Sequence, residues 1–148
     1  YCQDNEVGWW LWDKLEENGN IHRFVRELIT ARRAYSPLQH AGFYSDDDLQ
    51  WIGPQGEPPG WNDREARAVG CYLPEKNDLS ALLLFNAGRE AVDFDLPVML
   101  NGRRWHRKAD TALPSPDDIT PLGETKPLDQ QSHYTVDPQS SVVLVAPK

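Results

Sequence analysis

Val69-Gly70-Cys71-Tyr72-Leu73-Pro74-Glu75-Lys76-Asn77-Asp78-Leu79-Ser80-Ala81-Leu82-Leu83-Leu84-Phe85 is the stretch that decides the fold. Val69, Cys71 and Leu73 alternate with Gly70 and Tyr72, the period of a half-buried strand, and Pro74 is expected to close it. Glu75 to Asp78 is a polar turn, and Ala81 to Phe85 is a continuous apolar strand suited to the centre of a sheet. The two strands are expected to form a hairpin.

Strand signals continue on both sides of this hairpin. Leu49-Gln50-Trp51-Ile52 is a short strand ended by Gly53-Pro54, and Gln55 to Arg64 is an irregular loop that Trp61 can pin down. Val92, Phe94 and Leu96 alternate with Asp93 and Asp95, a strand with one wet face. Arg103 to Thr111 alternates again, with Trp105 inward and Arg104 and His106 outward. Residues 112–132 carry four prolines and read as a long surface loop. Tyr134 and Val136 begin a strand, Asp137 to Ser140 turns, and Val142 to Val145 closes the sheet. About seven short strands with Pro/Gly punctuation give a mainly β chain, an antiparallel β-sandwich.

Ahead of the strands stands one long amphipathic helix over residues 19–35. Ile21, Phe24, Val25, Leu28 and Ile29 follow the i, i+3, i+4, i+7, i+8 spacing, Asn18 or Asn20 can cap the start, and Ser36-Pro37 stops it. Before the helix, Tyr1 to Asp13 packs Trp9, Trp10 and Trp12 behind a run of short polar side chains, and no initiator methionine precedes them.

Composition narrows the function. A net charge of −8 argues against nucleic acid, which needs clustered Lys and Arg. The basic cluster from Arg103 to Lys108, interrupted by Trp105, reads as the solvent face of a strand. No run approaches the ~18 apolar residues of a membrane span. Cys2 and Cys71 do not make a disulfide framework; both are expected to be reduced, Cys71 as a buried thiol, which suits a cytoplasmic protein.

Asp46-Asp47-Asp48 lacks the Gly and Glu positions of a calcium loop, so no metal site is assigned and no cofactor is implied. It and Asp117-Asp118 read as solvated turns. His22, His40, His106 and His133 are scattered and expected at the surface. Tyr1, Gln3, Asp4, Asn5, Glu6 and the three neighbouring tryptophans form the one cluster suited to a ligand: aromatic faces stack on sugar C–H faces while amides and carboxylates take hydroxyls. The alternative is that Trp9 and Trp12 pack between structural elements and Asp4 or Asn5 caps a turn. Trp51 and Trp105 fall on inward phases, which leaves Trp61 as the better surface candidate on the sandwich.

Tyr1-Cys2-Gln3-Asp4-Asn5-Glu6 with Trp9 and Trp12 resembles a segment of bacterial glycogen debranching enzymes of the isoamylase type, in the α-amylase superfamily (glycoside hydrolase family 13). Phe24 to Arg33 is similar to that family's last barrel helix. Leu49 to Glu57 resembles its Val-x-Trp-x-x-Pro-Asp-Gly stretch, although Pro58-Pro59-Gly60 stands where an acidic pair usually precedes the next Trp. Leu82 to Asn86, Phe94 to Pro97, Trp105, Ala109 to Thr111 and Ser140 to Leu144 match the C-terminal domain in order.

The resemblance implies that residues 1–38 are the end of a (β/α)8 barrel, a loop plus the last helix, and that 39–148 are the C-terminal sandwich. It implies hydrolysis of α-1,6 branches in glycogen or limit dextrin by carboxylates upstream of this chain, so no residue here is assigned as catalytic. By the same resemblance Asp4, Asn5, Trp9 and Trp61 are the candidate contacts to α-glucan. The chain alone is expected to be an inactive structural accessory. Its helix is expected to fold back on the sandwich or to mediate a homodimer, since an exposed apolar stripe is a liability. An independent glucan-binding module, an interaction domain without ligand, and the C-terminal domain of a sibling isoamylase, trehalose-forming enzyme or α-amylase are the alternatives.

Overall fold

The computed structural model describes residues 2–76, 79–100 and 102–148. Asn77 and Asp78, at the tip of the expected hairpin turn, lie outside them, as do Tyr1 and Asn101. Helix α1 (Lys14–Glu17) leads into α2 (Gly19–Ala34), followed by a 3₁₀ turn at Ser36–Leu38. The strands are β1 (Gln50–Ile52), β2 (Ala68–Lys76), β3 (Leu79–Asn86), β4 (Val92–Asp95), β5 (His106–Asp110), β6 (His133–Val136) and β7 (Ser140–Pro147).

Five strands form one antiparallel sheet in the order β1-β2-β3-β7-β5, and β4 pairs with β6 in a second. The apolar run of β3 is central: Leu82 and Leu84 face Leu144 and Val142 across β7 and are fully buried. Against them pack Phe94 and Val136 from the smaller sheet, with Trp105 at 1% exposure closing the space. The Trp105 indole donates to the Pro97 carbonyl at 2.9 Å and meets Tyr72 edge-on at 6.3 Å, so its one polar atom is satisfied inside an apolar core. Buried Asn86 extends this lock, its amide donating to the carbonyls of Glu90, Val136 and Asp137 at 2.8, 3.0 and 3.2 Å.

The large sheet is covered on its other face as well. Cys71, Leu73, Ala81 and Val145 pack there against Ala31 of α2 and Tyr35. Gly70 is required for the close approach of β1, because a Cβ at this position would lie 2.7 Å from the Ile52 side chain.

Several expectations change on this frame. Pro74 does not end β2; the pairing shifts between Leu73 and Lys76 and resumes at Lys76 opposite Leu79, an irregularity that absorbs the missing proline N–H. Asn18 holds the N-cap position of α2 without capping it, because its amide donates backward to the Lys14 carbonyl at 2.9 Å. The Asn20 side chain instead accepts from the Ser115 hydroxyl at 3.1 Å. The 112–132 segment is irregular as expected, yet it is clamped to β5 by bridges at Ala109–Ile119 and His106–Pro127, and Ile119 is buried.

The docking face of α2 also differs from the apolar stripe. Arg23 pairs with Asp118, Glu27 acts electrostatically on Lys108, and Ala31 enters the core, so a polar and small-residue row meets the sandwich. Ile21, Val25 and Ile29 stay exposed, while Phe24 and Leu28 are half-buried. The reason is that Ser115, Asp118 and Lys108 offer partners to charge and amide groups, and only small Ala31 fits close to the sheet. Two charged side chains thereby leave solvent: Asp118 is half-buried, and Lys108 is fully buried with its ammonium donating to the Thr120 carbonyl. Burial holds the Lys108 amine below its ordinary value, and Glu27 offsets part of that shift.

Candidate functional site

The N-terminal cluster is built by a chain of tight turns. Gly8 N–H donates to the Asn5 carbonyl at 2.9 Å and Val7 N–H to the Asn5 side chain at 3.2 Å, an Asx turn that fixes residues 5–8. The Asn5 amide in turn donates to the Gln3 side-chain oxygen at 3.2 Å. This turn brings Trp9 round to Asp4, where the indole N–H donates to the carboxylate at 2.6 Å. Asp4 and Trp9 are therefore joined in one unit, and Asn5 is the residue that shapes it. Tyr1, named with them, lies outside the described residues.

Trp9, Trp10 and Trp12 are all exposed, Trp10 at 83%, and do not pack into the sandwich. Trp10, Trp12 and Leu15 continue into an open apolar groove with Ile21 and Val25 of α2.

Trp61 belongs to a different surface. The loop from Gly53 to Arg67 is folded by short backbone bonds, including Trp61 N–H to the Pro59 carbonyl and Asp63 N–H to the Gly60 carbonyl, both at 2.9 Å. Gly56 takes the left-handed conformation, φ +80°, that its turn requires. Trp61 is 67% exposed and meets Trp51 edge to face, with ring centroids 5.7 Å apart and planes at 81°.

Trp51 corrects the sequence expectation of a core residue, being 46% exposed. Its phase is as expected, opposite Cys71 on the face that α2 covers. However, α2 and the 3₁₀ turn cover the region of Leu73, Ala81 and Val145, and edge strand β1 lies beyond them. Alternation reports the face of a residue but not the reach of the layer above it, which is why Trp51 was missed as a surface aromatic.

The remaining candidates resolve as structure. Asp48 accepts from the hydroxyl and N–H of Ser45 at 2.7 and 3.1 Å, and these bonds, with a smaller contribution from His40 and Lys76, hold its carboxyl below the usual range. His40 is half-buried rather than free on the surface, stacked on Tyr44 at 4.8 Å and 3.4 Å from Asp48. Among the described residues no group of three His, Cys, Asp or Glu side chains is placed to hold a metal ion. No helix among them is long and apolar enough to cross a membrane.

Residues 48–145 match the family model described as Isoamylase, C-terminal. This chain belongs to the isoamylase C-terminal family. It is 36% identical over 123 residues to Isoamylase 1, chloroplastic, of Arabidopsis thaliana, covering 82% of this chain and 16% of that protein. It is 32% identical over 108 residues to the Glycogen operon protein GlgX homolog of Haemophilus influenzae, covering 71% of this chain and 15% of that protein. The chain thus spans less than a fifth of the length of these curated relatives. The fold is similar to part of the pullulanase type I of Bacillus subtilis solved with maltose, at a TM-score of 0.64 and 15% identity, over 93% of this chain and 17% of that one. The matched residues 48–145 take in the strands of the sandwich, and Trp51, Trp61 and Trp105 lie within them.

Proposed function

We propose that this chain is the C-terminal accessory part of a debranching hydrolase that cleaves α-1,6 branches of glycogen or limit dextrin. The observation that carries the reading is the match of residues 48–145 to the isoamylase C-terminal family, together with relatives named as isoamylases and glycogen operon proteins. In this reading residues 1–38 close a catalytic (β/α)8 barrel and residues 39–148 form the sandwich that supports it. The pair of carboxyl groups needed for a retaining hydrolysis, about 5 Å apart, is assigned to the barrel and not to this chain.

The two faces of α2 support the accessory role. One face is tied to the sandwich by Arg23–Asp118 and Asn20–Ser115, and the opposite row of Ile21, Val25 and Ile29 is left for a barrel to cover. Asp4, Asn5 and Trp9 then stand at the glucan-facing edge, Asp4 with acceptor capacity beyond the Trp9 bond. In the chain by itself, the same outward row serves as a homodimer contact. Cys2 and Cys71 are both free thiols, in keeping with a cytoplasmic setting.

The test is release of linear maltooligosaccharides from β-limit dextrin. The enzyme carrying this chain is expected to release them and the chain alone to release none. Cleavage confined to α-1,4 bonds, or hydrolysis by the chain alone, overturns the reading.

A further inference from the structure

We propose that Trp51 and Trp61 form a second sugar-binding platform on the sandwich, distinct from the N-terminal cluster, and that it takes a linear α-1,4-glucan segment. The class of sugar rests on the debranching reading; the platform rests on its geometry. Two exposed indoles meet at 81° with centroids 5.7 Å apart, so together they form a bent surface. A β-1,4-glucan is a flat ribbon whose apolar faces suit coplanar rings. Successive glucose units of an α-1,4-glucan turn relative to one another, and a bent pair offers one face to each of two neighbouring units. The perpendicular contact also supports each ring from the side, which limits the ordering cost on binding.

Polar groups stand where hydroxyls would lie. Asp63 and Arg67 border the groove beside Trp61, together with Val69 and Ala87. The turns at Pro59–Trp61 and Gly60–Asp63 hold this edge in place before any ligand arrives. Phe85, opposite Val69 on the same sheet face and partly exposed, extends the apolar floor. A chain of net charge −8 does not repel a neutral polysaccharide.

The experiment is calorimetric and fluorescence titration of the intact chain with maltoheptaose, using cellohexaose as the flat-ribbon control. It is done in a W9A/W10A/W12A background, so that the exposed tryptophans of the N-terminal cluster do not contribute. Saturable binding with a tryptophan signal is expected, weakened about tenfold or more by W61A, less by W51A, and largely restored by W61F. F43A, which alters a fully exposed ring elsewhere, is expected to leave it unchanged. Absence of binding in that background, or binding indifferent to W61A, overturns the platform. A sedimentation change with W61A and no change in sugar binding makes the pair a contact for a second copy, which also overturns it. Equal binding of cellohexaose overturns the α-glucan assignment while sparing the pair as a sugar surface. The limit-dextrin assay fails or succeeds separately, so loss of the debranching reading is distinguishable from loss of the platform.

Discussion

Trp105 and Trp10 are the same side chain under opposite conditions: the first is sealed between two sheets and the second projects almost wholly into solvent. The contrast extends to the regions that carry them. In the sandwich, the large apolar residues Leu82, Leu84, Phe94, Trp105, Val136 and Leu144 are sealed between the two sheets. In the segment from Cys2 to Ala34, Trp10, Trp12, Ile21, Val25 and Ile29 are exposed, while Asn20 and Arg23 are tied to Ser115 and Asp118 and Glu27 acts on Lys108. The sandwich encloses its own core, whereas the N-terminal segment leaves its outward apolar row uncovered.

The largest effect that would sharpen this comparison is W105A. Removing the buried indole is expected to cost about 3–5 kcal/mol and to lower the melting temperature steeply, whereas W10A should stay within about 0.5 kcal/mol. Equal losses in the two variants, measured by thermal or urea unfolding, would mean that the N-terminal segment has a core of its own.

Alkali tests the second covered face of the sheet. Burial pushes the Cys71 thiol up to about 11 from an ordinary 9.0, and pushes the Tyr134 phenol, which donates to Asp110 at 2.7 Å, up to about 12. A raised native value favours the protonated form in the folded state. Stability from Cys71 is therefore complete below pH 9.0 and is lost as pH rises through about 11. The expected loss is about 2 kcal/mol, read as a falling denaturant midpoint that C71A flattens over the same range. An unchanged slope in C71A would place the loss at Tyr134 instead.

A smaller effect is expected at the junction of the two regions. D118A leaves the half-buried Arg23 guanidinium without its carboxylate and should cost about 1–3 kcal/mol. Hydrogen exchange is expected to speed up in α2 while β3 and β7 stay protected. Uniform exchange across helix and sheet would show that the two unfold as one unit. The smallest effect concerns the outward row. V25S is expected to change stability by less than about 0.5 kcal/mol while weakening self-association in sedimentation. A large destabilisation would mean that Val25 is covered within a single chain.

Much of this architecture was legible in residue order. The alternation in β2 and β4, the apolar run of β3 and the period of α2 each report a local geometry that neighbours reinforce, and Trp105 stood on an inward phase with a core ready on both sides. The candidate site was legible only in part. Asp4 and Trp9 are five residues apart and a single Asx turn joins them, so their pairing is a local matter. Trp51 and Trp61 meet through a loop whose Pro58-Pro59-Gly60 path no periodicity describes, and nothing in the order of residues announced that they touch.

Residue order by itself determined the mainly antiparallel β class, the order of the strands though not their ends, the single long helix and the buried thiol at Cys71. These depend on side-chain periods of two and 3.6, which each segment carries within itself. Only the tertiary structure decided which side of α2 meets the sheet, that Lys108 and Asp118 are drawn out of solvent, and that Trp51 stays in it. Those outcomes depend on how far one layer extends over another and on which partners wait there. A period assigns each side chain to a face, but whether that face is covered is a property of the assembled layers.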